Sequence, residues 1–236
     1  MSTSSVYDEP AEPGLPPSGF QLDVTHAALV VTDPQNDFLS PDGATWSVFG
    51  ASVEDNGTVE HIDQLLSAAK SAGITVAISP HYYYPSDQDW QFGGPLERFM
   101  HSVGMFARTH PLQLEGFDGS GADYLERYKN RILDGKTVVA SPHKIVGPQS
   151  NDLVLQLRKR GVTQVLLAGM AANLCTESHL RELIEQGFEV VVIRDATAGA
   201  RLPEGDGYLA ALINFRFLAS AIWTTDQAVA ELAQAT

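Results

Sequence analysis

Short apolar runs recur along the chain, and most are followed by a stretch whose apolar residues have helical spacing. The runs are three to seven residues long and end at proline, glycine or polar positions. This pattern is typical of strands that are buried on both faces of a parallel sheet. It predicts six strands, at residues 26–32, 74–78, 137–140, 164–168, 188–193 and 221–223.

The segments between these runs carry the 3.6-residue period of amphipathic helices. Glycines at 73, 161 and 187 stand where helices end in a left-handed residue. Strands that alternate with helices at this spacing predict an α/β fold, a three-layer parallel sheet with right-handed crossovers. The predicted helices cover residues 53–72, 152–160, 175–186, 207–218 and 225–235, with a shorter one near 121–128.

Two segments depart from the alternation. Residues 1–20 contain Pro10, Pro13, Pro16 and Pro17, which exclude a helix or a ladder strand and predict an extended arm before a single domain at 21–236. Residues 82–136 are rich in aromatic residues and glycine and show little regular pattern. Because such long loops are usually functional, we expect this segment to form the wall and lid of a substrate pocket.

Composition and charge narrow the class of protein. The 236 residues include 29 acidic and 15 basic side chains, for a formal net charge of −14, and 44% of them are hydrophobic. Such an acidic surface disfavours nucleic acid and anionic membranes as partners. The sequence shows no signal peptide and no apolar run of membrane-spanning length, and its single cysteine excludes an internal disulfide. A cytoplasmic location is the expectation.

Three reactive side chains lie at or just past the ends of three predicted strands: Asp33, Lys144 and Cys175. Because the carboxyl ends of parallel strands share one edge of the sheet, we expect these residues to converge there. A carboxylate, an ammonium and a thiol at one point have the roles of base, charge partner and nucleophile.

Cys175, the lone thiol, has two interpretations. It lies at a predicted strand-to-helix turn, where the helix dipole lowers a thiol pKa and favours the thiolate. Free cysteines are also common as buried apolar fillers with no chemistry.

Four motifs resemble the isochorismatase-like cysteine hydrolases, the superfamily that includes nicotinamidase and N-carbamoylsarcosine amidase. They are the stretch at 30–38 that contains Asp33-Pro34-Gln35-Asn36-Asp37-Phe38, the pair His143-Lys144, the turn Gly169-Met170-Ala171-Ala172-Asn173-Leu174-Cys175, and the strand end at 190–196. These motifs follow one another in the family's order from residue 26 to about residue 200.

The resemblance implies a mechanism and a fold. Cys175 would be the nucleophile, Asp33 the general base and Lys144 the charge partner. The Met170–Ala171 peptide would be cis, and the N–H groups of Ala171 and Cys175 would form the oxyanion hole. The implied fold is a Rossmann-like sheet with strand order 3-2-1-4-5-6, in a homo-oligomer.

The chain also departs from the family's pattern. Metal-binding members carry Asp-x-His after the second strand, whereas this chain has Ser79-Pro80-His81, so we expect no metal and no cofactor. His81 is then either a substrate contact or an ordinary loop histidine. The other candidate substrate contacts are Gln35, Phe38, Tyr83, Trp90 and Asn173; support of the Asp33 loop by Gln35 and simple packing of the aromatic residues are the alternatives.

The resulting hypothesis is hydrolysis of a carbon–nitrogen bond in a small amide, ureide or carbamoyl compound. The acyl group would pass through a thioester on Cys175, with release of ammonia or an amine. One alternative is vinyl-ether hydrolysis, although members of the family with that activity lack the thiol. The other is a non-catalytic binding protein on the same fold, in which Cys175 would be inert.

Overall fold

Buried parallel strands form the centre of the structure. The computed structural model describes residues 14–234, so residues 1–13 of the predicted arm lie outside the described residues. Both β1 and β4 are buried along their whole length, as their apolar sequences predict. The strands are β1 Ala27–Thr32, β2 Thr75–Ser79, β3 Val138–Val139, β4 Gln164–Gly169, β5 Glu189–Ile193, β6 Arg201–Leu202, β7 Gly205–Asp206 and β8 Ala221–Trp223.

The main sheet has the order β3-β2-β1-β4-β5-β8, and every neighbouring pair is parallel. The two short strands β6 and β7 form a separate antiparallel hairpin, which is why the last strand of the main sheet is β8. The predicted order 3-2-1-4-5-6 is therefore confirmed. β1 and β4 pair from Ala27↔Gln164 to Thr32↔Gly169, so these two strands end side by side.

Helices cover both faces of the sheet and make three layers. Leu29 and Val31 of β1 pack in one buried cluster with α3 and α9, while Ala28 and Val30 face a second cluster with α6, α7 and α8. None of the helices between residues 14 and 234 has the length and apolar content needed to cross a membrane. The helices are α1 Asn36–Leu39, α2 Trp46–Asp55, α3 Thr58–Ala72, α4 Pro95–Ser102, α5 Glu126–Ile132, α6 Leu153–Lys159, α7 Glu177–Glu185, α8 Gly207–Leu218 and α9 Thr225–Gln234.

Three helical segments differ from the predictions. The helix predicted at 53–72 is two helices, α2 and α3, because Gly57 takes a left-handed conformation with φ 60° between them. The helix predicted near 121–128 begins only at Glu126. The segment 82–136 contains the amphipathic helix α4, which the sequence signals through Pro95 at its first position and apolar residues spaced three to four apart.

The described part of the N-terminal arm lies against the last strand of its own sheet. The Ser18 hydroxyl donates a hydrogen bond to the carbonyl of Ser220. The ring of Phe20 packs edge-on against Trp223, with 5.6 Å between ring centroids. Ser18 and Phe20 therefore hold the arm against the β8 edge.

Gly169, the last residue of β4, should tolerate no side chain. Its φ is 107°, and a Cβ there would lie 2.1 Å from the carbonyl oxygen of Thr32. We expect Gly169→Ala to lower the free energy of unfolding by at least about 2 kcal/mol, because it adds a backbone clash to conformational strain. Urea denaturation followed by circular dichroism measures this.

Gly73→Ala is the matched control, because Gly73 is also left-handed but has open space around its missing Cβ. Conformational strain alone should cost about 1 kcal/mol there. Equal decreases in the free energy of unfolding of the two variants would contradict the clash at Gly169.

Candidate active site

Asp33 directly follows β1 in a backbone conformation that is unusual for a residue with a side chain. Its φ is 47°, in the left-handed region that glycine favours. Its N–H donates to the carbonyl of Ser79 at the end of β2 (3.1 Å), and its carbonyl accepts from the N–H of Gln35 (2.8 Å). These bonds fix the fully buried carboxylate of Asp33 at the carboxyl edge of the sheet.

Cys175 lies in the turn that leaves β4. The peptide between Met170 and Ala171 is cis, at the bond where the resemblance places it. Residues Ala172–Thr176 then form one π-helical turn before α7 begins. The predicted helix at 175–186 thus starts two residues late, and Cys175 belongs to the turn itself.

The Thr32 and Thr176 hydroxyls bind this turn to β1. Thr32 Oγ1 donates to the carbonyl of Met170 at 2.9 Å, and Thr176 Oγ1 donates to the carbonyl of Gly169 at 3.1 Å. The N–H of Ala172 donates to the carbonyl of Ala198 at 2.7 Å. The sulfur therefore sits on a backbone held from both neighbouring strands.

His143, not Lys144, contacts Asp33. His143 Nε2 lies 2.8 Å from Asp33 Oδ1, and both side chains are fully buried. An isolated parallel bridge between His81 and His143 extends the β2–β3 pairing beyond the ends of the strands, and it sets which side chain faces the carboxylate. Lys144, which was expected beside Asp33, contacts Asp87 instead, and His143 occupies the position next to Asp33.

Lys144 contacts the segment that follows β2. Its Nζ donates to Asp87 Oδ2 at 2.6 Å and to the carbonyl of Tyr82 at 3.0 Å. The same Nζ lies 3.8 Å from the centroid of the Tyr84 ring. Lys144 thus ties the beginning of the long segment 82–136 to the loop after β3.

Four side chains converge at this edge of the sheet. Asp33, His81, His143 and Cys175 are all buried, and one ligand-type atom of each lies within 4.8 Å of the others. Asp33 Oδ2, His81 Nδ1 and His143 Nδ1 have no hydrogen-bond partner in the described structure. A carboxylate, two imidazoles and a thiol are donors that bind zinc; the expectation of no metal stays a prediction.

The thiol of Cys175 is protonated at rest. Burial raises its pKa well above the usual value, and the negative charge of Asp33 raises it further, while the N–H groups of Ala171 and Cys175 act in the opposite direction. The lowered pKa expected from the helix position is therefore wrong, because desolvation and the neighbouring carboxylate outweigh the dipole.

Two further histidines are held in defined neutral tautomers. His81 Nε2 lies 2.8 Å from the carbonyl of Lys144, so this nitrogen carries the proton and Nδ1 presents a lone pair. Burial lowers the pKa of His81 well below its usual value. His179 Nδ1 lies 2.7 Å from the carbonyl of Cys175, and burial lowers the pKa of His179 to about 3.

The structure separates the predicted substrate contacts into those that support the site and those that face it. The Gln35 side chain forms its hydrogen bonds with backbone groups: Nε2 donates to the carbonyls of His81 and Ala122, and Oε1 accepts from the N–H of His81. It therefore supports the Asp33 loop. Phe38 and His81 line a small cavity at Cys175.

Tyr83, Trp90 and Asn173 lie outside that cavity. Tyr83 is buried and stacks against His81. Trp90 lines a separate surface groove. The Asn173 side chain packs against Gly207 and accepts from the N–H of Ala200 at 3.4 Å, so it supports the loop before α8.

The sequence did not identify three parts of the site: His143, His179 and the cavity wall formed by α4. His143 stands in the quoted motif but was not assigned a role, because the sequence does not show which side chain of the pair turns inward. His179 follows Cys175 by one helical turn, a spacing that was available as a signal. The cavity walls from α4 were missed along with that helix.

Comparisons with known proteins place the whole domain in one family. A family model described as the isochorismatase domain matches residues 27–227. The chain is 30% identical to ureidoacrylate amidohydrolase RutB of Methylobacterium radiotolerans, over 92% of this chain and 83% of that protein.

Two solved structures share the fold at low sequence identity. A cysteine hydrolase of Pseudomonas syringae pv. phaseolicola has a TM-score of 0.76 at 19% identity, over 94% of this chain and 100% of that chain. N-carbamoylsarcosine amidase of Thermoplasma acidophilum has a TM-score of 0.60 at 19% identity, over 85% and 96% of the two chains.

Removal of the Asp33 charge should make Cys175 easier to ionise. We expect Asp33→Asn to shift the pH midpoint of thiolate formation to lower pH, because the carboxylate raises the pKa of the thiol. Since the chain has one cysteine, the rate of iodoacetamide labelling against pH, read by intact mass, reports this thiol alone.

Asp226→Asn is the control, because Asp226 is an exposed residue at the start of α9 and its neutralisation should leave the labelling midpoint unchanged. A midpoint that moves to higher pH in Asp33→Asn would contradict the electrostatic account of the thiol.

Proposed function

We propose that this chain, which belongs to the isochorismatase family, hydrolyses a carbon–nitrogen bond in a small amide, ureide or carbamoyl compound. The observation that carries the proposal is the convergence of Cys175, Asp33 and His143, all buried, at the edge where β1 and β4 end. The name of the relative from Methylobacterium radiotolerans, an amidohydrolase, supports the same reaction class.

Attack by Cys175 begins the reaction. Asp33 takes the proton from the thiol as the sulfur forms a bond to the substrate carbonyl carbon, so the thiolate exists only when a substrate can use it. The raised pKa of the thiol makes a nearby base necessary. Asp33 Oδ2, which has no hydrogen-bond partner among the described residues, is the atom available to receive the proton.

The N–H groups of Ala171 and Cys175 act on the charge that develops next. Both point at the thiol sulfur in the resting structure, beside the position where the carbonyl oxygen of a bound substrate becomes negative. Fixed backbone donors at this point stabilise the tetrahedral intermediate. They constitute the proposed oxyanion hole.

Asp33 completes the cycle as a proton donor. When the carbon–nitrogen bond breaks, Asp33 returns its proton to the departing nitrogen, and ammonia or an amine leaves. Water then attacks the thioester, Asp33 takes a proton from that water, and the carbon–sulfur bond breaks to release the acid. The proton returns to the sulfur, and the free enzyme is restored.

His143 orients the carboxylate through these steps. Its Nε2 donates to Asp33 Oδ1 at 2.8 Å, which leaves Oδ2 for proton transfer. An imidazole here replaces the ammonium that the family resemblance implied. A homo-oligomeric state and a cytoplasmic location stay predictions.

Cys175→Ala tests the covalent step. In a screen of small amides, ureas and carbamoyl compounds for ammonia release, we expect this variant to lose at least about 10³-fold in kcat/KM, since the nucleophile is gone. An intact mass shifted by an acyl group in the wild-type protein would report the thioester. Full turnover by Cys175→Ala, with its fold verified by circular dichroism, would defeat the mechanism.

Adjacent substitutions test the assignment of His143. We expect His143→Ala to lower kcat/KM by about 10²-fold or more, because Asp33 loses its orienting donor. Lys144→Ala, the neighbouring control, should stay within about tenfold of the wild-type value, because Lys144 contacts Asp87 and not Asp33. A larger decrease in kcat/KM for Lys144→Ala than for His143→Ala would contradict the assignment of His143 and would favour Lys144.

A further inference from the structure

We propose that the substrate of this site is an uncharged amide or urea with an apolar substituent, and that the site excludes anionic ones. This inference rests on the proposed function, because it names the substrate class of the same site. It comes from the lining of the cavity at Cys175. It also separates this chain from the relative whose name refers to ureidoacrylate, an anionic ureide.

Helix α4 supplies one apolar wall of the cavity. Leu96, Phe99 and Met100 line the cavity together with Cys175. The charged residues of the same helix, Glu97 and Arg98, line a separate surface groove with Trp90 and His101. The amphipathic helix therefore turns its apolar side toward the thiol and its charges away from it.

The aromatic rings of Phe38 and Phe49 form a second wall of the cavity. Phe38 packs edge-on against Phe49 with 4.8 Å between centroids and against Phe106 with 5.3 Å. The buried carboxylate of Asp37 supports this wall, since it accepts from the N–H of Phe106 at 2.6 Å and from the N–H of Ala44 at 3.1 Å. The cavity has a volume of only about 10 Å³ as it stands, so a substituent enters only when lining side chains move, and an apolar one then gains burial against the lining.

The side chains of Thr45 and His81, two of the lining residues, have no free proton to donate to an anion. Thr45 Oγ1 donates to the carbonyl of Asp37 at 2.7 Å, so its proton is already used. His81 presents the unpartnered lone pair of Nδ1. A lone pair accepts from the N–H of an amide or a urea but repels a carboxylate, and the nearby charge of Asp33 adds to that repulsion.

No lysine or arginine in the described part of the chain lines this cavity. The basic residues of the surrounding segments have other contacts. Lys144 binds Asp87, Arg98 Nε donates to the carbonyl of Gly93 at 3.1 Å, and Arg108 stacks on Phe117 at 4.1 Å. His143, next to the cavity, is paired with Asp33. A buried carboxylate would therefore lack a cationic partner, which is a costly arrangement.

Isosteric ligand pairs test the preference. Isobutylurea and ureidoacetate differ only in an isopropyl group against a carboxylate, and 5-methylhexanamide and glutaramate form the matching amide pair. Ammonia release by the wild-type protein at pH 7 should favour each neutral member by at least about 100-fold in kcat/KM.

Binding of the same four compounds to Cys175→Ala, measured by calorimetry, tests the preference for uncharged substrates separately from the proposed hydrolase function. Binding of the neutral members at least about tenfold more tightly than the anionic ones would support the substrate class even without turnover. Equal or tighter binding of the anions, or no binding of either neutral compound, would overturn it. Cys175-dependent ammonia release from an anionic compound with a kcat/KM equal to or above that of its neutral partner would overturn the substrate class while leaving the hydrolase function intact.

A cation placed in the cavity wall should weaken the preference for the neutral compounds. Phe99 lines the cavity but is 39% exposed, so Phe99→Arg can be accommodated; we expect it to raise the binding ratio of ureidoacetate to isobutylurea at least about tenfold. Leu112→Arg, at a side chain that is 94% exposed and outside the cavity, is the control and should leave the ratio unchanged. An unchanged ratio in a folded Phe99→Arg protein would count against the proposal.

Discussion

The parallel pairing of β1 with β4 is the constraint on which the site depends. The register sets Thr32 opposite Gly169, so the residues that follow the two strands, Asp33 and the turn to Cys175, leave the sheet side by side. Gly169 has no Cβ, which allows the turn to approach the Thr32 backbone closely. A one-residue shift of β1 would exchange Leu29 and Val31, which pack with α3 and α9, for the smaller Ala28 and for Val30 from the other layer.

Much of this arrangement can be predicted from the sequence. The strand order came from the family resemblance. The continuous apolar runs themselves predict the strands, and the polar residues after them locate Asp33 and Cys175; both inferences depend on local periodicity and on one topological rule about parallel sheets. The choice between His143 and Lys144 depends on neither, since β3 pairs through only two residues and the following loop decides which side chain turns inward.

The electrostatics of the site could not be predicted from position alone. A helix N-terminus lowers the pKa of a cysteine, but burial and the charge of Asp33 raise that of Cys175 by more. Both effects depend on tertiary packing, which brings residues 33, 81, 143 and 175 together. The same packing places the uncharged imidazole of His81 and the carboxylate of Asp33 beside the thiol.

The burial that keeps Cys175 protonated also protects the protein from oxidation. Peroxides and soluble electrophiles react with thiolates far faster than with thiols, and they need access to the sulfur. Cys175 is only 3% exposed, and the base proposed to ionise it, Asp33, is buried within 4.8 Å of it. The chain's only thiol therefore becomes reactive when a molecule binds beside Asp33, and it resists oxidation in the absence of such a molecule.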